Sequence, residues 1–279
     1  MALVVNPRSQ AAPDPDELEQ RLARDGAEIA ITAIGELDSG GAQIAGADRI
    51  AVAGGDGSIG PCAQIAQELG IPLAVIPVGT ANDFARAKGL PLDLDEACAL
   101  AREPDATTSH ADLAEIDGRP FVNAASAGLS VIAAREARAH KSTLGPLAYA
   151  VGALEAGRTA SPLRCRVLCD GNERYAGRVW QVVVGVTGAF GGGSAIGDSA
   201  ERRVDVAVVP AGSRLGLVRR AYAMRAGKLT AQDDVAHLRG KVIDVEVDGQ
   251  RAFNVDGELC DCAPAHVTLR PPGFAVVTP

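Results

Sequence analysis

Apolar residues come along this chain in short runs, each closed by a turn-forming residue. Ala2, Leu3, Val4 and Val5 make the first run, and Asn6-Pro7 stop it, because proline has no N–H with which to continue a ladder. Leu18 and Leu22, four apart behind the capping residue Asp14, predict a helix over 13–25. Residues 27–33 read as a second strand, and the Gly- and Ala-rich stretch after it as helix-like. Residues 49–53 read as a third strand, 59–69 as a helix, 71–77 as a fourth strand and 82–88 as a helix. Strands that alternate with helices predict a parallel sheet with helices on its faces.

Past residue 105 the rhythm changes. Runs at 107–116, 119–125, 164–168, 175–187, 204–209, 242–247 and 251–255 read as strands. Asp117-Gly118 and Asp170-Gly171-Asn172 are the residues of tight hairpin turns. Helical insertions are expected at 131–140, 147–157 and 215–226. The expected fold is therefore an α/β, Rossmann-like parallel-sheet domain over 1–118, completed by 270–279. A mainly antiparallel, β-sandwich-like domain follows over 119–269. There is no internal repeat and no low-complexity tract.

Composition narrows the picture. Of 279 residues 47% are hydrophobic but only 3% aromatic, so Val, Ile, Leu and Ala must fill the core. A net charge of −8 excludes bulk nucleic-acid binding, which wants a basic surface. The start of the chain has no basic segment and only a short apolar run, unlike a signal peptide. No stretch reaches the length of a membrane-spanning helix. A cytoplasmic protein is expected, with its six cysteines as thiols. Cys62, Cys98, Cys165 and Cys169 read as core. Cys260-Asp261-Cys262 with His266 nearby resembles a metal cluster, without a standard zinc spacing.

The candidate chemistry centres on Gly54-Gly55-Asp56-Gly57-Ser58, where the third strand feeds a helix. That arrangement points backbone N–H groups at an anion, and glycines let the chain approach closely or take positive φ. Asp56 repels a bare phosphate, so a metal or hydroxyl is expected between them. Ligands of such sheets gather at the carboxyl ends of strands. Asn6, Arg8, Thr32, residues 54–58 and residues 79–82 all fall there. Gly55, Gly57 and Gly60 fit the dinucleotide spacing, but it follows the third strand, and the next strand ends in Val78-Gly79-Thr80 with no acid for a ribose. The P-loop pattern and the protein-kinase set are absent.

Taken in order, Gly54-Gly55-Asp56-Gly57-Ser58, then Pro77-Val78-Gly79-Thr80-Ala81-Asn82-Asp83-Phe84-Ala85-Arg86, then Asp256-Gly257-Glu258 resemble the diacylglycerol kinase catalytic family. That family includes bacterial lipid kinases and sphingosine kinases and is distantly similar to NAD kinase. Asn6-Pro7, residues 123–128 and residues 191–193 also fit, so the likeness runs nearly the whole chain. The resemblance implies ATP-dependent transfer of phosphate to a lipid hydroxyl, with magnesium. It implies nucleotide contacts at Asn6, Arg8, Thr32, Gly54, Gly55, Asp56, Gly57, Ser58, Gly79, Thr80 and Asn82. The base region falls on Asp256 and Glu258, and the magnesium carboxylates on Asp56, Asp83 and Asp112.

The sequence departs from the family in two places. Gly60-Pro61 stands where most bacterial members carry Asn-Glu. Arg202-Arg203 occupies the place of an Asp-Gly pair, so Asp198 or Glu201 would have to hold a structural magnesium, or the arginines replace its charge. The partner expected is a lipid at the membrane surface, approached peripherally by a protein with no transmembrane segment and no nucleic-acid role; a homodimer is compatible with this. Residues 214–228 are basic (Arg214, Arg219, Arg220, Arg225, Lys228), but their apolar positions do not segregate to one side, which favours a solvated surface helix. Two other readings stay open: a kinase of the same fold for a small soluble substrate, and a nucleotide-binding member without turnover.

Overall fold

The structure is a computed structural model, and it describes residues 1–7, 9, 13–23, 29–37, 41–144, 160–187, 189–190, 194–195, 202–213, 234–249 and 252–279. Arg8, residues 191–193, Asp198, Glu201, the basic stretch 214–228 and the helices expected at 147–157 and 215–226 lie outside the described residues. The chain divides into two units, Met1–Leu113 with Arg270–Pro279, and Ala114–Leu269.

The first unit runs β1 (Ala2–Val5), α1 (Pro15–Leu22), β2 (Ala30–Ala33), β3 (Ile50–Gly54), α2 (Asp56–Leu69), β4 (Leu73–Pro77), α3 (Asp83–Ala87), α4 (Leu94–Arg102) and β5 (Thr107–Ala111). Its six-stranded sheet has the order β2-β1-β3-β4, then the C-terminal strand Phe274–Thr278, then β5. All pairs are parallel except the last. The central strands β1, β3 and β4 are buried at every position, as strands covered on both faces must be. The edge strands β2 and β5 are mostly exposed. Leu18 and Leu22 of α1 and Ala97, Cys98 and Ala101 of α4 pack with Leu3 and Ile76 in one core. In the Gly- and Ala-rich stretch after β2 the described residues form two short 3₁₀ turns, Ile34–Glu36 and Ala42–Ile44, the second preceded by Gly41 at φ 63°, left-handed backbone that ends helical propagation.

The second unit holds β6 (Ala114–Ile116), β7 (Arg119–Phe121), β8 (Ala124–Gly128), α5 (Leu129–Leu144), β9 (Leu163–Cys169), β10 (Asn172–Gly185), the short strands β11 (Ala189–Phe190) and β12 (Ser194–Ala195), β13 (Val204–Pro210), β14 (Ala236–Gly240), β15 (Val242–Val247), β16 (Ala252–Val255), β17 (Glu258–Asp261) and β18 (Ala265–Leu269). Eleven of these form one antiparallel sheet, ordered β17-β16-β8-β10-β9-β15-β18-β6-β7, with β13 and β14 branching from β10. The first half of β10 pairs with β9 and its second half with β8 and β13. This long strand thereby joins two layers, which close over Val167, Val182, Val206, Ile243, Phe253 and Val267. The architecture is the expected one: a mostly parallel α/β sheet and an antiparallel curled, sandwich-like sheet.

Three hairpins turn on Asp-Gly: Asp117-Gly118, Asp170-Gly171 and Asp256-Gly257, all six residues at positive φ. This is the backbone that a two-residue turn between twisted strands requires. Each aspartate also reaches a neighbouring segment. Asp117 accepts from the N–H of His266 at 3.2 Å, and Asp170 from those of Lys241 and Val242 at 2.9 and 3.0 Å. Those backbone donors hold the Asp170 carboxyl below its ordinary range.

Candidate active site

The glycine turn sits where β3 meets α2. The helix starts at Asp56 rather than at residue 59, so Asp56, Gly57 and Ser58 form its first turn. Gly55 is its cap, extended at φ −91° and without a capping side chain; its carbonyl accepts from the Ser58 N–H at 2.9 Å. First-turn N–H groups have no acceptor further back in the helix, and the helix start carries partial positive charge.

Close approach, not positive φ, is why this turn is glycine-rich. None of Gly54, Gly55, Gly57 and Gly79 has positive φ. A Cβ on Gly54 would stand 2.5 Å from Ser58 Oγ. A Cβ on Gly79 would stand 2.5 Å from the Cα of Gly55 and 2.8 Å from Asn82 Oδ1.

Two asparagines fix the loops around this turn. Asn6, just past β1, donates from Nδ2 to Ser58 Oγ at 2.8 Å and from its backbone N–H to the Ala53 carbonyl at 3.0 Å. Asn82 accepts from the Gly79 N–H at 3.0 Å and donates to the Gly79 carbonyl at 3.1 Å. It stands at the cap position of α3 with φ 51° and makes no capping bond. The cap comes from elsewhere: the two oxygens of Asp56 accept from the N–H groups of Asp83 and Phe84 at 3.1 and 2.9 Å. Phe84 in turn stacks on Phe274 of the C-terminal strand, ring centroids 5.9 Å apart. The sequence showed Asp56 only as a ligand candidate; its role as the cap of a facing helix needed the fold.

The remaining expected residues are placed as follows. Gly57 lies in the first turn of α2, and Thr80 is exposed in the loop before α3. Thr32 is buried within β2, opposite Val4. Asp83 is buried at the start of α3. Asp112 is half-buried just past β5, beside Lys88. The Lys88 ammonium donates to the His110 carbonyl at 3.1 Å. Burial pulls its pKa down, and the Asp112 carboxylate works against that fall. Lys88 went unmarked in the sequence, though it follows the Asn82–Arg86 segment directly.

Asp56 meets the backbone N–H of Asp83, but among the described residues no three His, Cys, Asp or Glu side chains gather as a metal site. Magnesium in nucleotide sites takes one or two carboxylates and completes its shell with phosphate oxygens and water. Asp56 and Asp83, in the first turns of α2 and α3, are acids of the type such a shell uses; a three-carboxylate set with Asp112 does not form.

In the second unit, the two candidate acids separate into different tasks. Asp256, at φ 46° in the β16–β17 turn, accepts from the N–H groups of Val122, Asn123 and Ala124 at 2.8, 3.0 and 3.0 Å. Its own N–H donates to the Ala124 carbonyl at 3.0 Å. It clamps the segment leading into β8. Glu258 opens β17 with its side chain half exposed and accepts from Arg119 Nη2 at 2.6 Å. Arg119 was not singled out in the sequence; its place next to the Asp117-Gly118 turn was the available signal. No helix among the described residues is long and apolar enough to cross a membrane.

Comparison with known proteins adds to this geometry. A profile described as "Diacylglycerol kinase catalytic domain" matches residues 1–116. One described as "YegS C-terminal NAD kinase beta sandwich-like domain" matches residues 123–278. A diacylglycerol kinase of Mycobacterium tuberculosis is 28% identical over 242 residues, covering 84% of this chain and 78% of its own. Among solved structures, a diacylglycerol kinase from Bacillus anthracis superposes with TM-score 0.76 at 24% identity, covering 100% of this chain and 96% of its own. An NAD kinase from Archaeoglobus fulgidus, solved in complex with ATP, does so with TM-score 0.51 at 14% identity, over 99% of this chain and 93% of its own.

Proposed function

The chain belongs to the diacylglycerol kinase and YegS family of lipid kinases, and we propose on that premise that it transfers the γ-phosphate of ATP to a lipid hydroxyl. The acceptor class is diacylglycerol or a sphingoid or ceramide-like lipid, met at a membrane surface. The observation that carries the reading is the contact of Gly79 with Gly55. It leaves main chain bare of side chains at the start of α2, where N–H groups can face phosphate oxygens.

Phosphoryl transfer depends on positioned charge more than on covalent help. Residues 54–58 and 79–80 would cradle the phosphates, with Asn6 and Asn82 holding those loops in place, and Thr32 and Arg8 belonging to the same nucleotide contacts. Magnesium, held by Asp56 and Asp83, would neutralise phosphate charge. Glu258 is the base we assign, because its carboxylate is exposed and can accept a proton from the acceptor hydroxyl. Asp256, with three backbone donors on its oxygens, holds the turn that presents Glu258.

The test is purified protein with labelled ATP, magnesium and a panel of lipid extracts. A labelled, chloroform-soluble product is expected. Label that appears only in a water-soluble product would replace this reading with a kinase of a small soluble acceptor, and ATP left unbound would remove it.

A further inference from the structure

We infer that Arg119 is a positioning residue for the proposed base, holding the Glu258 carboxylate where an acceptor hydroxyl can meet it. The inference rests on the phosphoryl transfer proposed above and adds a residue to it.

Arg119 Nη2 donates to Glu258 Oε2 at 2.6 Å. The two residues open β7 and β17, which stand at opposite ends of the order of the eleven-stranded sheet. Opposite charges often meet because register places them side by side on one ladder. These two strands share no ladder, so the contact is not a by-product of their pairing.

Both backbones are fixed before the side chains meet. Arg119 directly follows the Asp117-Gly118 turn. The Asp117 N–H donates to the His266 carbonyl at 3.0 Å, and its carboxylate accepts from the His266 N–H at 3.2 Å. Pro120 comes next and biases Arg119 toward extended backbone. Glu258 in turn follows the Asp256-Gly257 turn, which Asp256 ties to the N–H groups of Val122, Asn123 and Ala124. Residues 119–124 therefore carry both the guanidinium that meets Glu258 and the donors that hold its turn.

What this frame leaves loose is the long glutamate side chain. A base must stand within hydrogen-bond reach of the hydroxyl it deprotonates, and time spent in other rotamers slows transfer. Arg119 settles the rotamer through one oxygen. The other, Oε1, takes no donor among the described residues, and it is the atom left for the hydroxyl proton. The contact does little for the fold, because side chains 38% and 48% exposed are screened by solvent. Its effect is on where the carboxylate points, which is how a supporting contact serves a catalytic group.

The test is steady-state kinetics with ATP and with short-chain diacylglycerol or sphingosine in detergent micelles, beside urea unfolding of the same preparations. Arg119→Met should lower kcat about 10- to 100-fold, with KM for ATP and the urea midpoint unchanged. Arg119→Lys should recover part of that loss, since an ammonium can supply a single N–H···O contact. In a Glu258→Gln background, Arg119→Met should lower kcat no further, because the group it serves is already gone. Arg166→Met is the control: Arg166 pairs with Glu173 at 2.6 Å with similar exposure, and its loss should leave kcat as it is. Unchanged kcat in Arg119→Met would overturn the inference alone, as would losses that multiply in the double variant or an equal loss in Arg166→Met. A wild type that phosphorylates neither lipid would remove the transfer and the inference together.

Discussion

Gly55 and Gly79 approach so closely that a methyl group on Gly79 would lie 2.5 Å from the Cα of Gly55. Backbone cannot yield as a flexible side chain does, so Gly79→Ala must part the two loops. We expect a roughly 5- to 150-fold loss of ATP affinity by calorimetry, matching a displacement cost of about 1–3 kcal/mol. Gly35→Ala is the control: nothing lies within 4 Å of its added Cβ, and affinity should not change. Equal affinities for the two variants would remove the cradle.

The two acids of the β16–β17 turn should part in their effects. Glu258→Gln should lower kcat about 10²-fold or more with little change in stability, because it removes an exposed base. Asp256→Asn should cost about 1–3 kcal/mol in urea unfolding, since an amide cannot satisfy three N–H donors that a carboxylate holds. The reverse pattern would exchange the two roles.

Asp56 joins chemistry to architecture. Asp56→Ala leaves the N–H groups of Asp83 and Phe84 without their acceptor, so it should lose about 1–2 kcal/mol of stability as well as ATP binding. Asp56→Asn keeps one acceptor oxygen and should recover part of the stability but not the phosphate transfer. Loss of transfer with no loss of stability in Asp56→Ala would contradict the capping role. Urea midpoints and turnover, measured on the same preparations, separate the two.

The periodic signals in the sequence gave β1, β3, β4 and the Asp-Gly hairpins close to their observed places, because each is marked by a local apolar run or turn residue. What failed was non-local. The run 107–116 reads as one strand, yet β5 and β6 belong to different sheets, since nothing local records that the chain changes partners at Asp112 and Leu113. A helical stretch around Cys98 was legible, but the bounds of α4 were not set, although Asp93 caps it through the N–H groups of Asp95 and Glu96. The glycine turn itself was legible, but the physical reason for its glycines was not: it depends on Gly79 meeting Gly55 across two loops. The clamping contacts of Asp256 were equally hidden, because its partners lie more than a hundred residues away at Val122, Asn123 and Ala124.

Alkaline pH should weaken the fold through its buried thiols. Burial raises Cys62 and Cys165 from their ordinary 9.0 to about 12. A raised folded value contributes stability that is whole below pH 9 and is lost as pH climbs toward 12. Each thiol should add at most about 1.4 kcal/mol per pH unit to that decline. Lys88, lowered by burial, works the other way as pH approaches its ordinary 10.5. Urea midpoints from pH 7 to 11 for the wild type and Cys165→Ala should converge as pH rises; parallel curves would remove the thiol from the account.

The strand Phe274–Thr278 lies between β4 and β5, yet a ribosome releases it only after the whole of Ala114–Leu269. Until then the nascent first unit has a missing slat, with the facing edges of β4 and β5 open to other chains. Expression of 1–113 alone would freeze that gap permanently, and a bulky fusion placed hard against Thr278 would press on the first unit's sheet.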